Sequence, residues 1–481
     1  MNPELSRRPE LSRRTVDRRI LALSIPALGA LAAEPLISLV DTAYVSRLGV
    51  AELGALGVNG AIFGFTFVVF NFLAYATTPL VAQALGRGDP GHASQVVARA
   101  LWLASVLGCV TTVAMIVGSR WLVGLMQAGP EVVDPAIAYL RVKAVAAPAV
   151  FIITAAQGAF RGFQDNRTPL KVVVTANLAN ATIDPILIFG LGWGITGAAV
   201  GSVISQWAAA IWFLVLLTRR IGRVSARLPR WEEISGLAKA GGVLTLRTLF
   251  LVAALGVGTA TAAASGTSAL AAHQVVRETW FFTAMLVDGL AIAAQALIAE
   301  QVGRANRAGV RFVTRRLVIW GIAVGGLMAV GWLLVAPWLA VGFAPDPEVG
   351  RLIVAAARIA GYMAPLAALV WVLDGVFMGE LRLRALVAST GLGALAAVAG
   401  FALTERFGWG LTGVWWAMAA LIAGRGLVLV LAGSGSQNPA FGLGEEQGQP
   451  GGDEHTDSQQ VHRVRKPHSI DREPPDGETG R

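Results

Sequence analysis

Twelve apolar runs, each long enough to cross a bilayer, dominate this sequence and leave few folds open to it. They lie near residues 20–46, 53–85, 93–118, 132–158, 169–190 and 195–218, and again near 237–264, 269–302, 312–335, 350–378, 385–404 and 411–432. A helix needs about 20 apolar residues to span the hydrocarbon core, whereas a barrel strand needs only about 10. In lipid, only these two structures satisfy every backbone polar group, and runs of this length predict helices. Only 14% of the residues are charged and mean hydropathy is +0.61. That is too little charge to cover a globular surface, which ordinarily takes about 25%. The chain reads as an all-α integral membrane protein.

The net charge of +9 is distributed like that of a membrane protein, not of a nucleic-acid binder. Residues 433–481 hold 5 basic and 9 acidic side chains, so the excess of bases lies between the apolar runs. One set of alternate loops holds Arg87, Arg161, Arg167, Lys171, the cluster from Arg219 to Lys239, the cluster from Arg304 to Arg316, Arg382 and Arg384. The other set holds only Arg47, Arg120, Arg351 and Arg406. Basic loops stay in the cytoplasm, so both termini are expected there, in a cell (inner) membrane protein that binds no nucleic acid. The basic N-terminus and Ala30-Leu31-Ala32 mimic a secretory signal, but apolar sequence continues past Glu34 and Pro35 to Val45. Cys109 is the only cysteine. It excludes an internal disulfide or a cysteine metal cluster and is read as a small buried side chain.

A shift of 217 residues (303 − 86) aligns the chain with itself. Leu53, Ala82, Gly86 and Arg87 then fall on Leu270, Ala299, Gly303 and Arg304, and Arg141, Pro148, Gly158, Phe160 and Gly162 on Arg358, Pro365, Gly375, Phe377 and Gly379. Each repeat holds six spans, an even number, so both enter the membrane from one side as parallel repeats about an axis along its normal. This arrangement predicts two six-helix bundles around a central cleft. The expected organisation is a basic cytoplasmic segment 1–19, an N-lobe 20–218, a cytoplasmic linker 219–236, a C-lobe 237–432 and a disordered cytoplasmic tail 433–481, whose Gly, Gln, Pro and acidic residues bury little.

Gly192-Trp193-Gly194-Ile195-Thr196-Gly197 fits a dinucleotide fingerprint, but it lies between two spans and recurs at Gly408, Gly410 and Gly413. A repeated tight turn explains it without a nucleotide, and no ATP-binding loop sequence is present. Charged side chains inside spans cost about 2.5–3.5 kcal/mol each near the bilayer centre and are therefore candidates for function. Glu34 and Asp41 lie seven residues apart on one face of the first helix. Asn177, Asn180 and Asp184 form a stripe on the fifth. A carboxylate in such a place can exchange protons, and Asp184 and Asp41, both near the outer ends of their helices, can share one cavity. Glu34 is read equally as structural, beside the backbone carbonyl freed by Pro35. Pro26, Pro35, Pro148 and Pro365 are expected to kink their spans. In the second half, Asp288, Glu278 and Asp374 are candidates. Arg277 adjoins Glu278, and Asp374 could pair across helices with Arg358. Arg141 and Arg358 are read as bracing or snorkelling side chains. His273 stands apart from other histidines, so no metal site is expected.

The stretch Ile25-Pro26-Ala27-Leu28 through Ala33-Glu34-Pro35-Leu36 to Val40-Asp41-Thr42-Ala43 resembles the start of multidrug-and-toxin-extrusion (MATE) transporters, and most closely their DNA-damage-inducible branch. Ala272-His273-Gln274, Leu286 through Ala291, Gln295-Ala296, Gly158 through Gly162 and Thr168-Pro169 extend the resemblance over residues 20–432. It implies two lobes around a V-shaped cleft and export of organic, often cationic, compounds against inward flow of protons or sodium. It further implies that Asp41, Asn180 and Asp184 belong to the N-lobe cavity and Pro26 to its bend. Gln157 and Ser202 fall at polar cavity positions of that lobe. Protons are preferred to sodium, because Glu278 and Asp374 do not match the sodium branch's acid pair. No cofactor is expected, the partners are small organic molecules and lipid, and the chain is read as a monomer. A flippase for a lipid-linked precursor is the alternative, and would show several cleft-facing Arg or Lys. A membrane-embedded enzyme is disfavoured, because the outer loops are short and poor in catalytic residues. Arg-rich, Lys-poor usage suggests a bacterium with a GC-rich genome.

The loop charges make a prediction. In a Cys109→Ala background, cysteines introduced at Gly192 and Gly408 should react with an impermeant maleimide added to intact cells, while one at Gly88 should react only after permeabilisation. Labelling of Gly88 from outside would reverse the topology.

Overall fold

The computed structural model describes residues 12–435 except 128, 223–228 and 345, and not the side chains of residues 34, 67–69, 434 and 435. The tail from residue 436, residues 1–11 of the basic segment and the middle of the linker therefore lie outside the described residues.

Fifteen α-helices account for the described chain: α1 (Arg13–Val45), α2 (Val50–Phe70), α3 (Phe72–Gly86), α4 (Pro90–Val117), α5 (Ser119–Leu125), α6 (Pro130–Ala144), α7 (Ala147–Gly162), α8 (Arg167–Pro185), α9 (Gly194–Ile221), α10 (Trp231–Ala264), α11 (Thr267–Gly303), α12 (Arg307–Phe343), α13 (Pro347–Gly379), α14 (Leu383–Phe407) and α15 (Gly410–Gly435). A π-helical turn, Ile186–Gly190, extends α8 beyond Pro185. Ten spans are long and apolar enough to cross a membrane singly, and α6 with α7 makes an eleventh, bent by 51°. Helices α2 and α3 follow one another around Asn71 and complete the twelve. The chain is an all-helical membrane protein of two bundles, α1–α9 and α10–α15.

Local chemistry explains the departures from the simple apolar pattern. Helix α1 starts seven residues before its apolar run, because Ser12 caps it by accepting a hydrogen bond from the Thr15 N–H at 3.2 Å. Pro148 opens α7 and lacks an N–H, so the fourth span breaks there. Pro26 and Pro35 lie inside α1, and Pro365 inside α13, without ending either helix. The two fingerprint-like glycine clusters are tight turns: φ is +68° at Gly192 and +56° at Gly194, and +67° at Gly408 and +58° at Gly410. Cys109 corrects the sequence reading, since it is exposed. It lies on α4 beside the exposed stripe Val106, Val110, Val113 and Val117, whose helical spacing marks a face turned to lipid.

The repeat is legible in the packing. A Cβ on Gly108 would lie 2.3 Å from the Cα of Pro148, and its counterpart on Gly325 2.7 Å from the Cα of Pro365. In the same way Gly158 lets α7 press on Ala74 of α3, and Gly375 lets α13 press on Ala291 of α11. Where the lobes meet, α3 and α11 cross with their backbones in contact. A Cβ on Gly86 would stand 2.4 Å from the Glu300 carbonyl oxygen, and one on Gly303 2.2 Å from that of Gln83. These two contacts are each other's image under the internal repeat.

Polar contacts between the lobes gather at the end of the molecule that carries the basic loops. Arg19 of α1 donates to Glu300 of α11 at 2.5 Å, and Gln164 is hydrogen-bonded to both. Asp17 accepts from Arg316 at 2.6 and 2.9 Å and from the Trp320 indole at 3.0 Å. Nearby, Gln83 donates to the Gly379 carbonyl at 2.9 Å, and deeper in, Gln295 donates to that of Tyr75 at 2.6 Å. The cleft is thus shut at the basic end.

Adding a methyl group at the crossing should therefore be costly. Gly303→Ala is expected to destabilise the protein in detergent by about 1–3 kcal/mol, the usual penalty for overpacking. Gly256→Ala, where a Cβ meets nothing within 4 Å, should not. Equal melting temperatures for the two variants would refute the close crossing.

Candidate functional site

Two polar sites lie within the membrane-spanning part, one inside the N-lobe and one in the cleft between the lobes. In the N-lobe, α8 and α1 pack together. The Tyr44 hydroxyl donates to the Ala181 carbonyl at 3.2 Å and Asn177 to the Ala33 carbonyl at 3.1 Å, which fixes the register of the two helices. That register brings the carboxyl groups of Asp41 and Asp184 within hydrogen-bonding reach of each other. Asp184 is fully buried and accepts from Asn180 at 2.8 Å. Its second oxygen and one oxygen of Asp41 are buried without a partner. Helix α9 can approach only because residue 201 is glycine, since a Cβ there would fall 1.9 Å from the Asp184 Oδ1.

Lys143 completes this cluster from α6. Its ammonium donates to the Tyr139 hydroxyl at 2.9 Å, lies over the Phe63 ring at 5.6 Å, and interacts with both carboxyls through space without a direct ion pair. The sequence signal was available, because Lys143 is a lysine inside a predicted span. Arg141, the charge that the repeat marks on the same helix, donates to Ser119 at 2.9 Å and braces α6 instead.

The second site is a cavity of about 270 Å³ between the lobes, with most of its wall supplied by the C-lobe. Arg161, Arg247, Arg425, Asp288 and Asp374 are its charged lining, and Tyr75, Trp280, Phe281 and Trp371 its aromatic lining. Asp374 accepts from Arg247 at 2.6 Å and also from Arg425, both through one oxygen. This corrects the suggested Asp374–Arg358 pair, as Arg358 is exposed. Nothing in sequence distance links Arg247 to residue 374, so only the packing of α10, α13 and α15 could reveal the trio.

The remaining candidates are dispersed. Gln157 accepts from Arg161 at 3.4 Å and so adjoins the cleft cavity instead of the carboxyl pair. Ser202 is buried on α9 next to Gly201. Glu278 is exposed and paired with Arg277 at 2.8 Å, away from Asp288 and Asp374. The side chain of Glu34 lies outside the described residues. Among the described residues no group of three His, Cys, Asp or Glu is placed to hold a metal ion.

Twelve spans in two repeated bundles, with a polar cleft between them, define a membrane transporter. Comparison with known proteins agrees. The MatE family matches residues 26–186 and 246–404, one match in each repeat, and the chain belongs to that family. It is 36% identical over 390 residues to Protein DETOXIFICATION 44, chloroplastic, of Arabidopsis thaliana, covering 78% of this chain and 74% of that one. It is 27% identical over 424 residues to DNA damage-inducible protein F of Escherichia coli (strain K12), covering 86% and 91%. Its fold matches the Vibrio cholerae MATE transporter VcmN in the bent form, with a TM-score of 0.82 at 19% identity over 87% of this chain and 96% of that one. It also matches a multidrug resistance MATE family transporter in an outward-facing conformation, with a TM-score of 0.78 at 21% identity over 87% and 95%.

Gly201→Ala should push Asp184 away from Asp41 while leaving the protein folded. Transport in vesicles is expected to fall to the level of Asp184→Asn, with an unchanged monodisperse elution profile in detergent. Wild-type transport by Gly201→Ala would mean that the close fit of α9 on Asp184 is irrelevant to function.

Proposed function

We propose that the protein is a secondary exporter of amphipathic organic compounds, driven by protons that bind at Asp41 and Asp184. It works as a monomer in the cell membrane, with the basic end and both termini in the cytoplasm. The observation that carries this reading is the carboxyl pair beside Lys143. With the lysine charged, the trio is neutral when the two carboxyls share one proton, and a net charge in so dry a place is costly. Loss of that proton changes the charge that α1, α8 and α6 must accommodate, and α1 also carries Arg19 and Asp17, which clasp the other lobe at the basic end. Protonation of the pair is therefore coupled to the element that closes the cleft.

Protons are favoured over sodium because two of the three C-lobe acids are already engaged, Asp374 by two arginines and Glu278 by Arg277, which leaves Asp288 without a second free carboxylate to share a sodium ion. A flippase for a lipid-linked precursor gains one specific support, the three arginines lining the cleft cavity.

The test uses inside-out vesicles with a preset proton gradient, to which cationic dyes and aromatic carboxylates are added in turn. Partial collapse of the gradient is expected for wild type, slowed at least about tenfold in Asp41→Asn and Asp184→Asn, as for removal of a proton-transfer group. Transport that needs sodium and ignores both substitutions would replace the proton reading with a sodium one. Transport that needs neither ion would end the antiport reading.

A further inference from the structure

The cleft cavity carries an imbalance of charge that its own residues leave unresolved. Three guanidinium groups face it, Arg161 from the N-lobe and Arg247 and Arg425 from the C-lobe, against two carboxylates, Asp288 and Asp374. The lining is thus one positive charge in excess within the membrane interior, where an uncompensated charge is expensive. The hydrogen bonding is equally incomplete. Asp374 meets both Arg247 and Arg425 with a single oxygen, and the Nε–H donors of both arginines are buried without a partner. Arg425 is only 1% exposed, so solvent does not serve it. Across the cavity, Arg161 has only a neutral neighbour at 3.4 Å, the Gln157 amide oxygen. Asp288 is exposed to the cleft and takes part in no ion pair among the described residues. Planar forks with spare donors are the chemistry that binds a carboxylate or phosphate oxygen pair.

The rest of the wall states what should be attached to that anionic group. Trp280 and Trp371 stand 5.5 Å apart, ring centre to ring centre, and Trp280 also meets Trp332 at 6.0 Å. Trp280 and Trp371, with Tyr75, Phe281, Met378 and Met418, form an aromatic and thioether surface beside the arginines, and Trp332 backs Trp280 from behind. A volume of about 270 Å³ is small for a ligand pocket, which typically holds about 300–1,000 Å³. It suits one or two fused rings better than an extended glycan headgroup. A cationic compound would face three guanidinium groups.

We propose that this cavity is the binding site for the anionic group of a compact aromatic organic acid, held by Arg161, Arg247 and Arg425, so that the exported compounds are organic anions, not cations. This deepens the exporter reading and rests on it. Asp374 then acts as the resident counter-charge that the ligand's carboxylate supplements and partly displaces.

The experiment is equilibrium binding to the purified full chain in nanodiscs, without any ion gradient, using naphthoate, naphthamide and naphthylmethylammonium. Naphthoate is expected to bind at least about tenfold tighter than either analogue, a difference of about 1.4 kcal/mol. Arg161→Gln and Arg247→Gln should each weaken it about tenfold, with melting curves confirming that the variants fold. Arg161 has no carboxylate partner among the described residues, so its removal orphans no acid and serves as the second variant if Arg247→Gln misfolds. Asp374→Asn should instead tighten naphthoate binding, whereas damage to a merely structural trio would weaken it. The proposal is overturned if the ammonium analogue binds as well as the acid, if the arginine substitutions leave naphthoate affinity unchanged, or if naphthoate does not bind at millimolar concentration. Displacement of naphthoate by a polyprenyl pyrophosphate at concentrations about a hundredfold lower than by naphthoate itself would overturn it in favour of a lipid-linked anion. Naphthoate binding without gradient-driven movement would sink the antiport reading and leave this site standing.

Discussion

Helices α3 and α11 cross between the lobes with no side chain separating them, and the remaining architecture is arranged around that contact. Gly86 meets the backbone at Glu300 and Gly303 meets it at Gln83. Small residues at such a crossing do in lipid what apolar side chains do in water, because helices there associate through close van der Waals packing and not through exclusion of water. The contact sits at the basic end, where Gln83 reaches the Gly379 carbonyl and Glu300 anchors Arg19. A cleft that is shut here by backbone contact and a few ion pairs can be open elsewhere. Each of these links can be broken without disturbing either lobe's own interior.

The two lobes share a scaffold and differ in chemistry. Glycines that seat α4 on α7, and α7 on α3, have counterparts seating α12 on α13, and α13 on α11. At the polar positions the equivalence ends. The counterpart of Asp41 is Gly258, that of Lys143 is Ala360, and that of Gln157 is Asp374. One bundle holds a carboxyl–lysine cluster in its interior, and the other supplies two of the three arginines that line the cleft. In the proposed mechanism this separation keeps the proton-binding carboxyls away from the three cleft arginines, whose field would hold a carboxyl ionised.

Much of this was legible along the chain. Run lengths gave the helices, loop charges the expected orientation, and the 217-residue shift the duplicated bundles, because hydrophobic thickness and backbone satisfaction act on consecutive residues. Asp41, Asn180 and Asp184 were visible as polar intrusions at helical spacing in otherwise apolar spans. Lys143 is equally a charge within a span, but it lies two residues after Arg141, which has a charged counterpart in the second repeat, whereas Lys143 has none. Cys109 was read as buried because an apolar run does not say which of its faces meets protein and which meets lipid.

What the sequence by itself determined is therefore the number, length and repetition of the spans, and which polar residues lie within them. The tertiary structure alone decided which of those residues meet. Asp374 was bound to Arg247 and Arg425 instead of Arg358. Arg161 was turned into the cleft beside Gln157, and Lys143 was set before the two aspartates. The physical reason is that partners on different helices are fixed by how close the backbones can come. In this protein that distance is set by glycines whose significance appears only when the opposing helix is in place.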